Sequence, residues 1–364
     1  ALRSFKEGIK FIYELSNQMN EIRIVTGKTA DEAGRLSKEY NKLAQSMGVA
    51  TKEFASATVE FYRQGLNEDE VMKRSATTTK YAKVANEDFK QSAEILTAVV
   101  NAMGIDIEKA SDIMLYMGDA TATSAGEIGR AMQKVAGSAG ALKIPFEKMA
   151  SYISVISSRT RESAESIGTS MKTLLARFQN IVETGYNEED STKINDVAKA
   201  LKTVGIAFTD SEGEIRRFDI VIEELGKKWN LLDSTTRAYL STILAGARQQ
   251  SRFYNLMDGL QEATDLYNKS LLAANTTQDK FNIYLESNEA KLNKFKSRME
   301  EMWLNTFNDQ NLGKIIEFGT GVVSLVDNIG ILNIAIVAAG TAFVVYIDKV
   351  GKALTTIPEG FKPL

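Results

Sequence analysis

Hydrophobic positions recur with the period of an α-helix along most of the chain. One stripe has apolar residues at i, i+4, i+7, i+8 and i+11: Ile167, Met171, Leu174, Leu175 and Phe178. This spacing places all five on one helical face. The stretch from Ile95 to Met103 repeats the pattern, which is typical of helices that bury one face in a core.

Capping residues mark where these helices begin and end. The segments Thr29–Glu32, Asn67–Glu70 and Ser124–Glu127 each place a side-chain acceptor before a helix and a carboxylate three residues later. Gly48 suits the position after a helix, where the backbone turns left-handed. The sequence therefore predicts separate helices joined by short turns.

Three segments resemble one another: 46–56, 102–111 and 141–151. Each has the pattern of a helix end, a short turn and a new helix start, with Thr51 and Asp106 as expected caps and Pro145 at the first helical position. Their spacing is too irregular for a strict solenoid. Recurring helix-hairpin chemistry and true duplication explain the likeness equally well, and both predict a stack of helical hairpins.

Residues 204–218 break the helical pattern. Two short apolar runs flank Thr209–Gly213, which carries the Asp, Ser and Gly of a tight turn. This arrangement predicts a small β-hairpin.

After Leu260 the apolar residues are spaced in alternating steps of four and three. The predicted seam consists of Phe281, Leu285, Asn288, Leu292, Phe295, Met299 and Met302. The mean period of 3.5 residues is that of a coiled coil, and a polar Asn288 on the seam could set register or chain number. The alternative is a long surface helix packed on its own domain.

A run of nineteen residues, 329–347, contains no charge. As a helix it would span roughly 28 Å, close to the hydrocarbon thickness of a bilayer. The residues expected to enter a membrane are Ile329, Ile331, Leu332, Ile334, Ile336, Val337, Phe343, Val344, Val345 and Ile347. The alternative is a helix buried inside an assembly.

Composition excludes several classes of chemistry. The 364 residues include no cysteine and no histidine, so that thiol catalysis, disulfides, Ser-His-Asp triads and His-based metal sites are impossible. A net charge of −3 gives no basic field for DNA or RNA. No phosphate-binding loop or paired catalytic carboxylate stands out, and we predict no enzyme activity and no cofactor.

Several segments in order resemble the core region of phage tail tape measure proteins. The segment Phe61–Glu70 (FYRQGLNEDE) resembles the opening of that core. Further similar segments follow at 82–94, 96–104, 163–178, 204–216 and 244–248. The resemblance covers roughly 61–257, and it departs from the family at 160–163, where the family often has a glycine-rich turn.

The resemblance implies a structural virion protein. Such proteins fill the tail lumen in several copies, limit tail length, and leave the tube at infection to help DNA cross the host envelope. The implied partners are further copies of the chain (a trimer is expected), tail tube and distal tail or tip proteins, and the host membrane, without sequence-specific nucleic-acid binding. The implied location is the distal tail.

The predicted fold is mainly α: stacked helical hairpins with one small β-hairpin, then a long coiled-coil helix and a membrane-length apolar helix. The expected divisions are 1–60 (helices belonging to a longer chain), 61–260 (core), 261–310 (coiled coil) and 311–364 (membrane-inserting). A bacterial pore-forming or translocator protein is the alternative function; it would explain the apolar run but not the resemblance over 61–257.

Overall fold

The computed structural model describes residues 2–179 and 196–306. These residues form sixteen α-helices: α1 (Leu2–Thr26), α2 (Ala30–Met47), α3 (Thr51–Arg63), α4 (Glu68–Ala85), α5 (Phe89–Met103), α6 (Ile107–Ala120), α7 (Ala125–Ala141), α8 (Phe146–Thr160), α9 (Ala164–Gln179), α10 (Asp196–Thr203), α11 (Phe218–Trp229), α12 (Ser234–Ala245), α13 (Gln250–Asp258), α14 (Leu260–Ser270), α15 (Thr276–Glu286) and α16 (Asn288–Thr306). The prediction of a mainly helical protein is confirmed.

Most predicted helix boundaries are confirmed. Complete capping boxes form at Thr29–Glu32 and Ser124–Glu127, and Asp106 caps α6 through its carboxylate. Two predicted caps are displaced by one residue. Thr51 and Pro145 do not occupy the expected positions, because α3 is preceded by Ala50 and α8 begins at Phe146.

Consecutive helices from α2 to α9 pack against one another as a stack of hairpins, and the later helices return along it. Helices α13 and α14 pack on α8, α15 packs on α6 and α4, and α16 reaches α2 and α3. These elements belong to one compact unit, Asn17–Glu301, which crosses the predicted boundaries at 60 and 260.

Helix α7 lies at the centre of the stack, in contact with α5, α6, α8 and α9. Its face toward α5 is lined by small residues, which allow the backbones to approach closely. A Cβ on Gly140 would lie 2.0 Å from the carbonyl oxygen of Ala102. Glycine is therefore required there by space, since a backbone atom cannot rotate away as a side chain can.

The predicted β-hairpin at 204–218 is wrong. Within the described residues this segment has only an isolated antiparallel bridge between Thr209 and Ile215. The Asp210 carboxylate accepts hydrogen bonds from the backbone nitrogens of Glu212 and Glu214, at 2.9 and 3.0 Å. Together with this carboxylate, backbone hydrogen bonds close the turn, from the Asp210 nitrogen to the Glu214 carbonyl oxygen and from the Arg216 nitrogen to the Phe208 carbonyl oxygen, both at 2.9 Å. The ring of Phe208 packs 5.0 Å from that of Phe178. No second pair of residues in this described segment extends the bridge.

The prediction of one long coiled-coil helix is also wrong. The described residues after 260 form three shorter helices, α14, α15 and α16. The last break is at Ser287, whose backbone is extended (ψ 156°) and whose hydroxyl accepts from the nitrogen of Ala290. Serine competes for backbone hydrogen bonds and favours helix starts, so that it divides the heptad pattern between two helices.

The described residues outside the large unit, 2–16 and 302–306, belong to a second, smaller unit. In it the ring of Phe11 lies 5.7 Å from that of Trp303. The apolar run 329–347 lies outside the described residues, as do all of its membrane-insertion candidates. Over the ranges that the structure does describe, no helix combines the length and the apolar character needed to cross a bilayer.

Candidate assembly surface on α16

Helix α16 packs against the rest of its unit with a polar face. Asn293, Ser297 and Glu300, at i, i+4 and i+7, are all buried. The Asn41 amide nitrogen on α2 donates to the carbonyl oxygen of Ser297 at 2.8 Å, and the Ser297 hydroxyl donates to the carbonyl oxygen of Val49 at 2.7 Å. Hydrogen bonds thus link the helix to α2 and the turn after it.

Glu300 supplies the cap that helix α3 lacks. The preceding residue, Ala50, has no side-chain acceptor, and the Glu300 carboxylate accepts from the Thr51 nitrogen at 3.1 Å and from the Thr51 hydroxyl at 2.6 Å. Glu300 is only 7% exposed. Burial raises the pKa of its carboxyl, against the two hydrogen bonds from Thr51, which favour the charged form.

The turn between α2 and α3 is closed by Gly48, which has a left-handed backbone (φ +63°). Its carbonyl oxygen accepts from the Tyr284 hydroxyl at 2.8 Å, and a Cβ on it would lie 2.9 Å from the Cβ of Ala290. Gly48 is thus confirmed as the C-cap of α2, and its lack of a side chain leaves room for the start of α16.

Three large apolar residues of α16 lie on its outward side, whereas the small Ala290 is buried. Leu292 is 54% exposed and Phe295 48% exposed, and Met299, one turn further on, is half-buried. These three residues are part of the predicted seam. Asn288 is exposed at the first position of the helix.

The other predicted seam residues lie elsewhere. Phe281 is 2% exposed on α15, where its ring stacks on Tyr284, and Leu285 is half-buried on the same helix. Phe281 therefore lies in the core of the unit and cannot be part of an exposed seam. Met302 belongs to the smaller unit.

Four cations surround the outward apolar residues: Lys291, Lys294, Lys296 and Arg298. Among the described residues none of the four has a carboxylate within ion-pair distance. By contrast Lys83 on α4 pairs with Glu53 and with Glu289. In the part of the chain that the structure describes, no cluster of three or more acidic side chains is arranged to hold a metal ion.

The sequence model of the family described as phage-related minor tail protein matches residues 37–246, more than half of the chain. The chain belongs to the phage minor tail protein family. The matched range runs from α2 to the end of α12, so that it lies within the large unit. As a member of this family the protein is a structural component of the virion tail.

A curated tape measure protein of Pneumococcus phage Dp-1 is 21% identical over 267 residues, which cover 72% of this chain and 22% of that protein. The chain thus spans about a fifth of the length of that relative. No solved structure matches this chain. Together with the family match, this similarity confirms the resemblance to tape measure proteins.

The sequence interpretation of this minor tail protein missed the buried face of α16. The signal was present, since Asn293, Ser297 and Glu300 recur at helical spacing as the apolar residues do. Amphipathic helices usually bury the apolar face, and this expectation assigned the polar stripe to solvent.

Proposed function

We propose that this chain is the folded part of a tape measure protein that sets tail length during assembly. The family match over 37–246 carries this proposal. The similarity to the tape measure protein of phage Dp-1 supports it. Several copies, three by our expectation, would occupy the tail together with tail tube and distal tail or tip proteins.

The folded unit itself would contribute little length to a ruler. The Gln45 amide nitrogen donates to the Glu301 carboxylate at 2.9 Å, although 256 residues separate the two along the chain. As one continuous helix, that stretch would be about 380 Å long. A chain that returns to its starting point adds only the width of a compact body to the length of the ruler. We therefore propose that extended segments of the tape measure protein measure the tail. The folded unit would then be a bulky element near the distal end of the tail.

Tail length measured by electron microscopy tests both parts of the proposal. In a phage that encodes this chain, an inserted helical segment of about 250 residues outside Asn17–Glu301 should lengthen the tail by roughly 1.5 Å per residue. Duplication of Asn17–Glu301 should lengthen it by no more than about 50 Å, the width of a compact unit of this size.

The two phages test separate parts of the proposal. Unchanged tails after the helical insertion would refute the tape measure role. Tails lengthened by several hundred ångströms after the duplication would refute the folded body and leave the ruler role intact.

We further propose that the run 329–347 enters the host envelope at infection and helps DNA to pass. Its lack of charge and its length support this role. A Val337→Asp phage should assemble tails of normal length and adsorb, but should fail to deliver labelled DNA, because a charge in the middle of the run opposes entry into lipid. Leu231→Asp, at an exposed leucine of the large unit and outside 311–364, is the control, and normal delivery by the Val337→Asp phage would contradict the proposal.

A further inference from the structure

We propose that the outward face of α16 binds an acidic amphipathic helix of another protein. Leu292, Phe295 and Met299, at i, i+3 and i+7, define this outer stripe over about two turns. Large side chains in such a row on a helix are the usual anchors for a second helix. The inference stands on this surface alone and does not depend on the tape measure role.

The cations lie on both sides of the outer stripe. Lys291 and Arg298 each precede a stripe residue and lie along one edge, whereas Lys296 follows Phe295 and lies along the other edge. In coiled-coil terms these are the g and e positions, whose charges choose the partner of a helix pair. A helix with apolar residues at a and d and with Glu or Asp at e and g complements both edges.

A second copy of α16 fits this surface poorly. In a parallel pair Lys291 would face Lys296 of the other copy, and in an antiparallel pair Lys291 would face Arg298. Like charges at these positions oppose association. The three acidic residues of the same helix are already engaged: Glu289 by Lys83 at 2.8 Å, Glu300 by Thr51 at 3.1 Å and Glu301 by Gln45 at 2.9 Å.

The contacts that hold α16 in its unit also support binding of a partner helix. Polar groups on its inner face form hydrogen bonds with Asn41, Thr51 and Val49, so that the helix keeps its orientation with the apolar side outward. A preformed helix loses little conformational freedom when a partner binds.

Binding of two designed peptides to the complete chain tests the proposal. Both have leucine and isoleucine at a and d over four heptads; one has glutamate at every e and g position and the other lysine. Fluorescence anisotropy of labelled peptides should show at least a tenfold preference for the glutamate peptide. The triple variant Lys291→Glu, Lys296→Glu, Arg298→Glu should reverse this preference, and Phe295→Asp should abolish binding of both.

Controls separate binding from folding. All substituted side chains are exposed, and unchanged circular dichroism melts should accompany each variant. Leu231→Asp, at an exposed leucine outside α16, should leave binding of the glutamate peptide unchanged.

Four outcomes would overturn the proposal. They are failure of both peptides to bind, equal binding of both, a dimer in analytical ultracentrifugation that Phe295→Asp dissolves, and binding to phosphatidylglycerol vesicles without discrimination between the peptides. The dimer would assign the surface to a second copy, and the vesicle result would assign it to lipid.

Discussion

The carboxylate of Glu300 accepts a hydrogen bond from the backbone nitrogen of Thr51, 249 residues earlier in the chain. A side chain of the last described helix thus accepts from the first N–H group of α3, whereas a serine or aspartate at position 50 would accept from the second or third. The start of α3 therefore depends on the return of the chain along the stack.

Glu300→Gln should change how stability depends on pH. Burial raises the pKa of Glu300 above its ordinary value of 4.5, so the native state favours the protonated form. The resulting stability is fully present below pH 4.5 and is lost as pH rises through the native pKa. Glutamine keeps the acceptor for Thr51 without the charge.

The melting temperature of Glu300→Gln minus that of the unaltered protein should accordingly grow between pH 4.5 and pH 7. Glu286→Gln, at an exposed carboxylate on α15, is the control and should show no such trend. A difference that does not vary with pH would show that the burial of Glu300 has no energetic consequence.

Gly48→Ala should lower the free energy of unfolding by about 1–3 kcal/mol more than Gly65→Ala does. Both glycines have a positive φ, of +63° and +73°, and share the left-handed strain. Only at Gly48 would the new methyl group lie 2.9 Å from Ala290, whereas nothing lies within 4 Å of it at Gly65. Urea denaturation followed by tryptophan fluorescence measures both, and equal losses would mean that α16 does not approach the turn in solution.

Alanine at two glycines of α7 should have effects of opposite sign. Gly140→Ala places a methyl group against the carbonyl oxygen of Ala102 and should lower the free energy of unfolding by about 1–3 kcal/mol. At Gly137 nothing lies within 4 Å of the added methyl group. Gly137→Ala should therefore raise the free energy of unfolding by about 0.5–1 kcal/mol, because alanine loses less backbone entropy than glycine when it becomes helical. Thermal denaturation of the pair is the measurement, and a stabilising Gly140→Ala would exclude the close α5–α7 crossing.

Asn41→Ala should destabilise the large unit by about 1–3 kcal/mol, since it removes two buried hydrogen bonds that the Asn41 amide donates, to the Ser297 carbonyl oxygen at 2.8 Å and to the Thr51 hydroxyl at 2.9 Å. Asn282→Ala is matched to it as an asparagine within a helix, but its side chain is exposed on α15. Helix propensity cancels between the two, and comparison of their urea midpoints isolates the buried hydrogen bonds of Asn41 with Ser297 and Thr51. A midpoint for Asn41→Ala no lower than that of the control would contradict the polar interface.

The errors in the sequence interpretation share one cause. A 3.5-residue spacing from Phe281 to Met302 is compatible with one helix, but Ser287 starts a new one and puts Phe281 in the core. At 204–218 the Asp210 carboxylate satisfies the turn amides, and the paired strands that the pattern suggested are not formed among the described residues. In both places a polar side chain that the apolar pattern does not take into account, Ser287 or Asp210, contributes hydrogen bonds to the backbone arrangement that forms.

Local patterns along the chain were sufficient for the helical class, for the caps at Thr29, Asp106 and Ser124, and for the core stripe from Ile167 to Phe178. These features depend on residues within a few positions of each other, where periodicity and capping chemistry act directly. Only the tertiary structure decided that α16 presents Leu292 and Phe295 outward. That orientation follows from polar partners on α2 and α3, which lie about 250 residues away in sequence and meet α16 only when the chain has folded back on itself.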